Sequence, residues 1–336
     1  MLDYAPTATL TCSQTAAHVP ESVNRELPGL LTSKPRKLHP ALSYDAYGSE
    51  LFEKLCKQPE YYLTRTETAL LYRESSVIIE ATNPEQIVDL GCGNCEKTQI
   101  LIHEAMRRHR QLKFVPCDID QQVIDRSMPH LYHFYSPRMT THPVVGSYES
   151  CLEKLRDDHD QRLFMFLGGT YSNMTQAERR TLLEALAGTM GDQDHFLLAA
   201  DLVKAPGLLE AAYNDAAGCI RDSMLQMLVV LNRDYGANFT IDNYEHVCRY
   251  NPKDRTISSF LKARAAEQVE IPALDITLDI SAGEFIEAEM RERFVLHELL
   301  ADLATHDLAP ARVMIDEDVP YALVLLRRDR VMAGQC

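Results

Sequence analysis

Gly91 and Gly93 close the apolar run Ile87-Val88-Asp89-Leu90-Gly91-Cys92-Gly93, and a helical segment opens directly after it at Glu96-Lys97-Thr98. At such a turn a glycine lets the backbone approach a ligand where a side chain would clash. One strand–helix unit further on, Phe114-Val115-Pro116-Cys117-Asp118 ends a second apolar run on an acid, and a carboxylate there suits the two hydroxyl donors of a ribose. Together the turn and the acid predict a nucleoside site. Glu96 stands where a dinucleotide-binding loop carries its third glycine, so the spelling favours S-adenosylmethionine over a dinucleotide. The blander reading of the same glycines is a tight strand-to-helix turn.

Such a site needs parallel strands that end together. Leu163-Phe164-Met165-Phe166-Leu167, bounded by Gly168-Gly169, and Phe196-Leu197-Leu198-Ala199-Ala200, ending on Asp201, are the near-continuous apolar runs of strands buried on both faces. Val144-Val145 is a shorter candidate, and Ala177–Met190 reads as a helix between strands. The alternation predicts an α/β fold with ligand at the carboxyl ends of the strands. After Lys204 the pattern changes. Leu208–Tyr213 and Ile220–Asp234 are helical, the latter with Leu225, Leu228, Val229 and Asn232 close to one stripe, whereas Leu274–Ile280 alternates like a half-exposed antiparallel strand. A helix at Val295–His306 and strands at Arg312–Ile315 and Ala322–Arg327 finish the chain.

Residues 1–40 hold five prolines without a period and are expected to form an irregular arm. Helices follow at Ser49–Leu55, with Ser49 as N-cap and Leu51, Phe52 and Leu55 on one face, and at Thr66–Glu80. The expected division is a substrate-binding part at 41–75 and 205–290 and a cofactor-binding part at 76–204 and 291–336.

Acids outnumber bases 49 to 34 for a net charge of −15, which argues against a nucleic-acid partner. No apolar run is long enough to span a bilayer, and the N-terminus lacks the basic start and apolar block of a secretory signal. Nine scattered cysteines suit reduced thiols in a cytoplasm, and the chain is expected to act as a monomer on a small molecule. Cys92 and Cys95 have Cys-x-x-Cys spacing, open to zinc or redox chemistry, but no second ligand pair accompanies them and they coincide with the glycine loop. No metal is expected.

Tyr44-Asp-Ala-Tyr-Gly48-Ser49-Glu50-Leu51-Phe52, Pro59-Glu60-Tyr61-Tyr62-Leu63-Thr64-Arg65, Asp89-Leu-Gly-Cys-Gly93, Phe114-Val-Pro-Cys-Asp118 and Phe166-Leu-Gly-Gly-Thr170-Tyr-Ser-Asn173 follow one another in order. Asp201-Leu-Val-Lys204, Ala212-Tyr213-Asn214-Asp215, Asn232-Arg233, Ala273-Leu-Asp-Ile-Thr277, Ala282-Gly283-Glu284 and Phe294 continue the series. The chain resembles, from about residue 30 to its end, the histidine-specific N-alpha-methyltransferases of ergothioneine biosynthesis. The resemblance implies a seven-stranded, Rossmann-like class I methyltransferase sheet with a second, substrate-binding domain. It also implies methylation of the α-amine of a free amino acid by S-adenosylmethionine, up to the betaine.

By the same resemblance Gly91, Gly93 and Lys97 line the cofactor, Asp118 meets its ribose, and Ser147-Tyr148 takes the place of an acid–phenylalanine pair that meets adenine. Asn173 and Tyr213 match the residues that hold the substrate α-carboxylate, Tyr44 a catalytic tyrosine near the transferred methyl, and Tyr61 and Glu289 two residues that read imidazole. Arg291 stands where the family has a serine in that pocket, and Ser259 where it has a methionine. These two changes raise the polar character of the side-chain pocket, so an amino acid other than histidine, or a modified one, is the rival substrate. A binding-only protein that keeps the cofactor but has lost transfer is a third possibility.

The chemistry stands apart from the likeness. An Asn amide and a Tyr hydroxyl can hold a carboxylate without an arginine. Aromatic faces such as those of Tyr44, Tyr61 and Tyr62 stabilise a sulfonium or quaternary ammonium, and their hydroxyls can relay a proton. Each residue also has a plain role open to it. Among 15 tyrosines most are packing residues, Glu289 and Arg291 lie in a charged run whose default is solvated surface, Lys97 suits a surface helix, and Asp201 suits a strand end.

Overall fold

The computed structural model describes residues 21–329. Seven strands, β1 (Gln86–Leu90), β2 (Leu112–Asp118), β3 (Met139–Thr141), β4 (Arg162–Phe166), β5 (His195–Asp201), β6 (Leu308–Asp316) and β7 (Tyr321–Arg328), lie in the order β3-β2-β1-β4-β5-β7-β6. Neighbours from β3 to β5 run parallel, and β7 is antiparallel to both β5 and β6. Val144–Val145 adds a short parallel pairing to β2 off that path. The order reverses between β1 and β4, so ligand space opens where those strands end. This is the seven-stranded arrangement of a class I methyltransferase.

Period-2 side chains explain why the runs are continuously apolar. Ile87, Phe114, Leu163, Met165 and Leu197 face one core, and Val88, Val115, Phe164, Phe166 and Leu198 face the other. Helices cover both faces. One of them, Gln176–Thr189, starts on a capping box in which Thr175 and Glu178 satisfy each other's backbone amides.

A third core gathers residues 23–63 with residues 209–288. It is built on a second sheet in the order Arg36–Lys37, Phe285–Glu292, Thr256–Ala263, Tyr244–Asn251, and on the helix Cys219–Tyr235. The hairpin Glu267–Ile271/Ile276–Ile280 packs beside it and shows the expected alternation, Leu278 and Ile280 inward. The helix Tyr62–Thr82 crosses position 75 without a break. It carries Leu63 into this core and Leu70, Leu71, Ile78 and Ile79 into the sheet core.

Several local expectations change. Residues 1–20 of the expected arm lie outside the described residues. Residues 21–40 contain the helix Glu21–Thr32, whose Val23, Leu27 and Leu31 form a buried stripe despite Pro28. The 46–55 helix is capped by Asp45, not Ser49, because the Asp45 carboxylate accepts from Gly48 N at 2.9 Å while also holding Gln226 and Arg233. Phe52 leaves the face of Leu51 and Leu55 and is 46% exposed. The buried stripe of the helix Cys219–Tyr235 runs through Met224, Met227, Leu228 and Leu231, leaving Val229 outside. No helix of the described residues is long and apolar enough to cross a membrane.

Candidate active site

The glycine turn follows β1, and its geometry explains both glycines. Gly91 has φ +79°, and a Cβ there would meet the Tyr148 hydroxyl at 3.3 Å. Gly93 has φ +51°, and a Cβ there would meet nothing within 4 Å, so the turn opens onto free space. Asp118 ends β2 beside it. Its carboxylate accepts from Gly93 N and from Asp120 N, each at 3.1 Å, and burial raises it above the usual carboxylate range. Each oxygen keeps a lone pair for a hydroxyl donor. An open glycine cradle tied to a ribose-sized acceptor fits S-adenosylmethionine. The Tyr148 ring stands edge-on to Phe166 at 5.0 Å, and Ser147 caps the helix Tyr148–Lys154 by accepting from Ser150 N. That leaves the Ser147 hydroxyl proton free for an adenine nitrogen.

Lys97 has a partner within the protein and keeps two further ammonium donors. Its ammonium is paired to Glu67 at 2.7 Å, and Glu67, only 1% exposed, also accepts from Gly168 N at 2.7 Å. Lys97 Nζ lies 3.1 Å from where a Gly168 Cβ would stand, so the pair fixes the turn after β4. Glu67 escapes a reading by sequence motif. The available signal is its place on the apolar stripe Leu63, Leu70, Leu71, where a buried acid demands a partner.

Asn173, in the helical turn Thr170–Asn173 after β4, meets the second sheet at Glu289. A bulge between Glu287 and Glu289 shifts the register of that strand. Beyond it Glu289, Arg291 and Arg293 fall on one face at period 2 and are 7%, 8% and 0% exposed. Solvated surface is therefore not their setting. Glu289 Oε1 accepts from Arg291 Nη2 at 2.6 Å and from Asn173 Nδ2 at 3.5 Å. The Tyr213 hydroxyl accepts from Arg291 Nη1 at 3.2 Å and from Arg293 Nη2 at 2.8 Å. Arg293 pairs in turn with Asp201 at 2.9 Å, and Asp201 also holds Lys204 and accepts from the Tyr62 hydroxyl at 2.7 Å. Tyr62 and Asp201 are thus members of a buried ionic chain.

Tyr44, 53% exposed, stands at the mouth of a cleft lined also by Phe52, Ser223, Met224, Glu289 and Arg291. Ser223 and Met224 carry no motif and are found only because the first turns of their helix face the cleft. Tyr61 is buried behind it, edge-on to Phe52 and to Tyr213 at 6.3 Å, and burial raises its hydroxyl well above the usual range. Ser259 pairs across strands with Glu289 and lies 3.1 Å from His246 Nε2. Burial lowers the His246 imidazole from 6.5 to about 4. The neutral ring is the form the fold accommodates, so its contribution is intact above about pH 6.5 and is lost as pH falls toward 4. His246→Gln is expected to flatten this acid limb of the stability curve by about 1–3 kcal/mol. Urea midpoints across that pH range read the effect, and an unchanged limb would refute it.

Cys92 and Cys95 are both buried, and Cys95 takes the left-handed N-cap position of the helix Glu96–Arg108. The glycine loop's turn accounts for their spacing.

The chain matches the family described as "Histidine-specific methyltransferase, SAM-dependent" over residues 23–328. It is 37% identical to the histidine N-alpha-methyltransferase of Mycolicibacterium smegmatis over 92% of this chain and 95% of that protein. Identity to the histidine N-alpha-methyltransferase of Mycobacterium tuberculosis is 34%, over 90% and 94% of the two chains. A more distant relative, the 4-dimethylallyltryptophan N-methyltransferase of Claviceps purpurea, is 24% identical over 58% of this chain and 60% of its own. With a match that runs through both sheets and every element around the cleft, the chain belongs to the histidine-specific, S-adenosylmethionine-dependent methyltransferases.

Proposed function

We propose that this methyltransferase acts on the α-amine of free L-histidine and carries it to the trimethylated betaine. The observation that carries this reading is the meeting of Asn173, Tyr213 and Glu289 in one buried polar cluster. Asn173 and Tyr213 offer donors to an α-carboxylate, and Glu289 offers an acceptor to an imidazole N–H. We assign residues 76–204 and 291–336 to cofactor binding and residues 41–75 and 205–290 to the substrate, with the helix Glu21–Thr32 packed into the latter's core. A monomer in the cytoplasm is the expected setting.

S-adenosylmethionine supplies an electrophilic methyl group, with Gly91, Gly93, Asp118, Ser147 and Tyr148 as the residues to hold it. Lys97 joins them with its remaining donors while also fixing Glu67 and the Gly168 turn. The chain's own task is to present a neutral amine in line with that methyl, which makes positioning the main catalytic contribution. Tyr44 stands at the mouth of the cleft, where its ring can face growing positive charge and its hydroxyl can relay the lost proton outward. Repeated transfer needs that exit, because each of the first two methylations leaves an N–H to remove.

A second reading, a different or modified amino acid as substrate, is favoured by the Arg291–Glu289 pair, which occupies the expected imidazole acceptor. Mass spectrometry of the purified protein with S-adenosylmethionine and each common amino acid separates the two. Histidine gaining three methyl groups is the expected result. Methylation of another amino acid with histidine inert would replace it with the second reading. Cofactor binding without any product would leave a binding-only protein.

A further inference from the structure

Arg291 reaches the middle of the polar cluster with one nitrogen, Nε, unused. Nη2 is on Glu289 and Nη1 on Tyr213, but among the described residues the buried Nε has no partner, and neither has the buried Oδ1 of Asn173. The guanidinium lies against Gly169, 3.2 Å from a would-be Cβ, and over the Tyr213 ring at 5.2 Å. It therefore lies between Tyr213, matched to the α-carboxylate, and Glu289, which Asn173 also touches. Tyr213 accepts from two guanidinium groups, which leaves its own O–H to donate outward. One carboxylate oxygen already rests among these donors, Glu289 Oε1, shared by Arg291 and Asn173. The buried chain from Asp201 to Glu289 also holds three basic groups, Lys204, Arg293 and Arg291, against two carboxylates.

We propose that Arg291 is the ionic anchor of the substrate α-carboxylate and that Glu289 holds its place until the amino acid arrives. The incoming carboxylate takes the Asn173, Tyr213 and Arg291 donors, supplying the missing negative charge. Glu289, displaced from Arg291 Nη2, turns to the side chain of the substrate. A planar guanidinium fork matches a carboxylate with two parallel N–H donors, which an isolated amide and phenol do not. This rests on the amino-acid α-N-methylation reading and names which part of the substrate Arg291 reads.

The test compares L-histidine with L-histidinamide, which keeps the amine and imidazole but lacks the carboxylate. Wild type is expected to favour the acid by about 100-fold in kcat/KM. Arg291→Gln is expected to lower kcat/KM for histidine about 100-fold, mainly through KM, while the amide changes by less than about threefold. Arg291→Lys keeps a charge beside Glu289 but loses the fork, and an intermediate loss of about 10-fold on the acid alone is expected. Cofactor affinity, measured on each variant, confirms a folded protein. Equal losses on acid and amide in both variants, or a wild type indifferent to the carboxylate, would overturn the proposal. A wild type inert on histidine would sink the histidine reading instead. The acid–amide pair of the amino acid it does methylate then decides Arg291 by the same criteria.

Discussion

Replacing Asp201 by alanine is expected to lower the unfolding free energy by about 4 kcal/mol and the melting temperature by roughly 10 °C. Asp201 ends β5 at 4% exposure and is the carboxylate for both Arg293, fully buried, and Lys204, whose side chain is 3% exposed. Removing it strands two cations close together in a low-dielectric interior and leaves the Tyr62 hydroxyl without its acceptor. Arg293→Met in the Asp201→Ala background removes one of the two stranded cations and leaves Lys204 alone, so it is expected to recover about half of the loss. Urea unfolding of the single and double variants reads both quantities. A loss under about 1 kcal/mol in the single variant would mean that water reaches the cluster and relieves it. The position matters for function because Tyr62 packs in the third core and Arg293 directly follows a strand of the second sheet, whereas Asp201 ends β5 of the main sheet. This ionic chain holds the two halves of the cleft in register.

What was legible in the sequence follows from which constraints act on single residues. Gly91 and Gly93 are readable because positive φ favours glycine at both and the Tyr148 hydroxyl stands close at Gly91, and Asp118 because an acid ending an apolar run is costly without a purpose. The sheet was readable because strands buried on both faces leave few polar positions. Glu289 and Arg291 were readable only through the family likeness. As residues they belong to a charged run, and the fact that decides their burial is a bulge one position earlier, which composition does not encode. Arg291's direction depends on Glu289 two residues earlier and on Gly169 and Tyr213, two partners from distant parts of the chain. Lys97 was read one contact short, because the acid that claims it lies on a helix 30 residues earlier. Asp45 was overlooked as a cap because Ser49 has the commoner spelling, yet only Asp45 also serves Gln226 and Arg233.

Asp118→Ala is expected to raise the dissociation constant for S-adenosylmethionine by about 100- to 10,000-fold while moving the histidine KM by less than about twofold. A charged acceptor bonded to two ribose hydroxyls contributes about 1.5–3 kcal/mol per bond, which sets that range. Part of the loss comes from the loop itself, since Asp118 also holds Gly93 N at 3.1 Å and keeps the glycine turn in place. Asp118→Asn separates the two contributions. It keeps a carbonyl acceptor and the side-chain shape but gives up the charge, and a loss of about 10-fold is expected if the loop stays in place. Burial raises the Asp118 carboxylate, so wild-type cofactor affinity should fall on acidification sooner than an ordinary aspartate would allow, and the Asn variant should lack that limb. Asn173→Ala is the mirror experiment. It touches Glu289 and the carboxylate end, so the histidine KM should rise about 10- to 100-fold with cofactor affinity nearly unchanged. If either variant weakened cofactor and amino acid by the same factor, the two ligands could not be occupying separate ends of the cleft. The glycine turn and the Asn173–Tyr213 cluster would then have to be treated as one site.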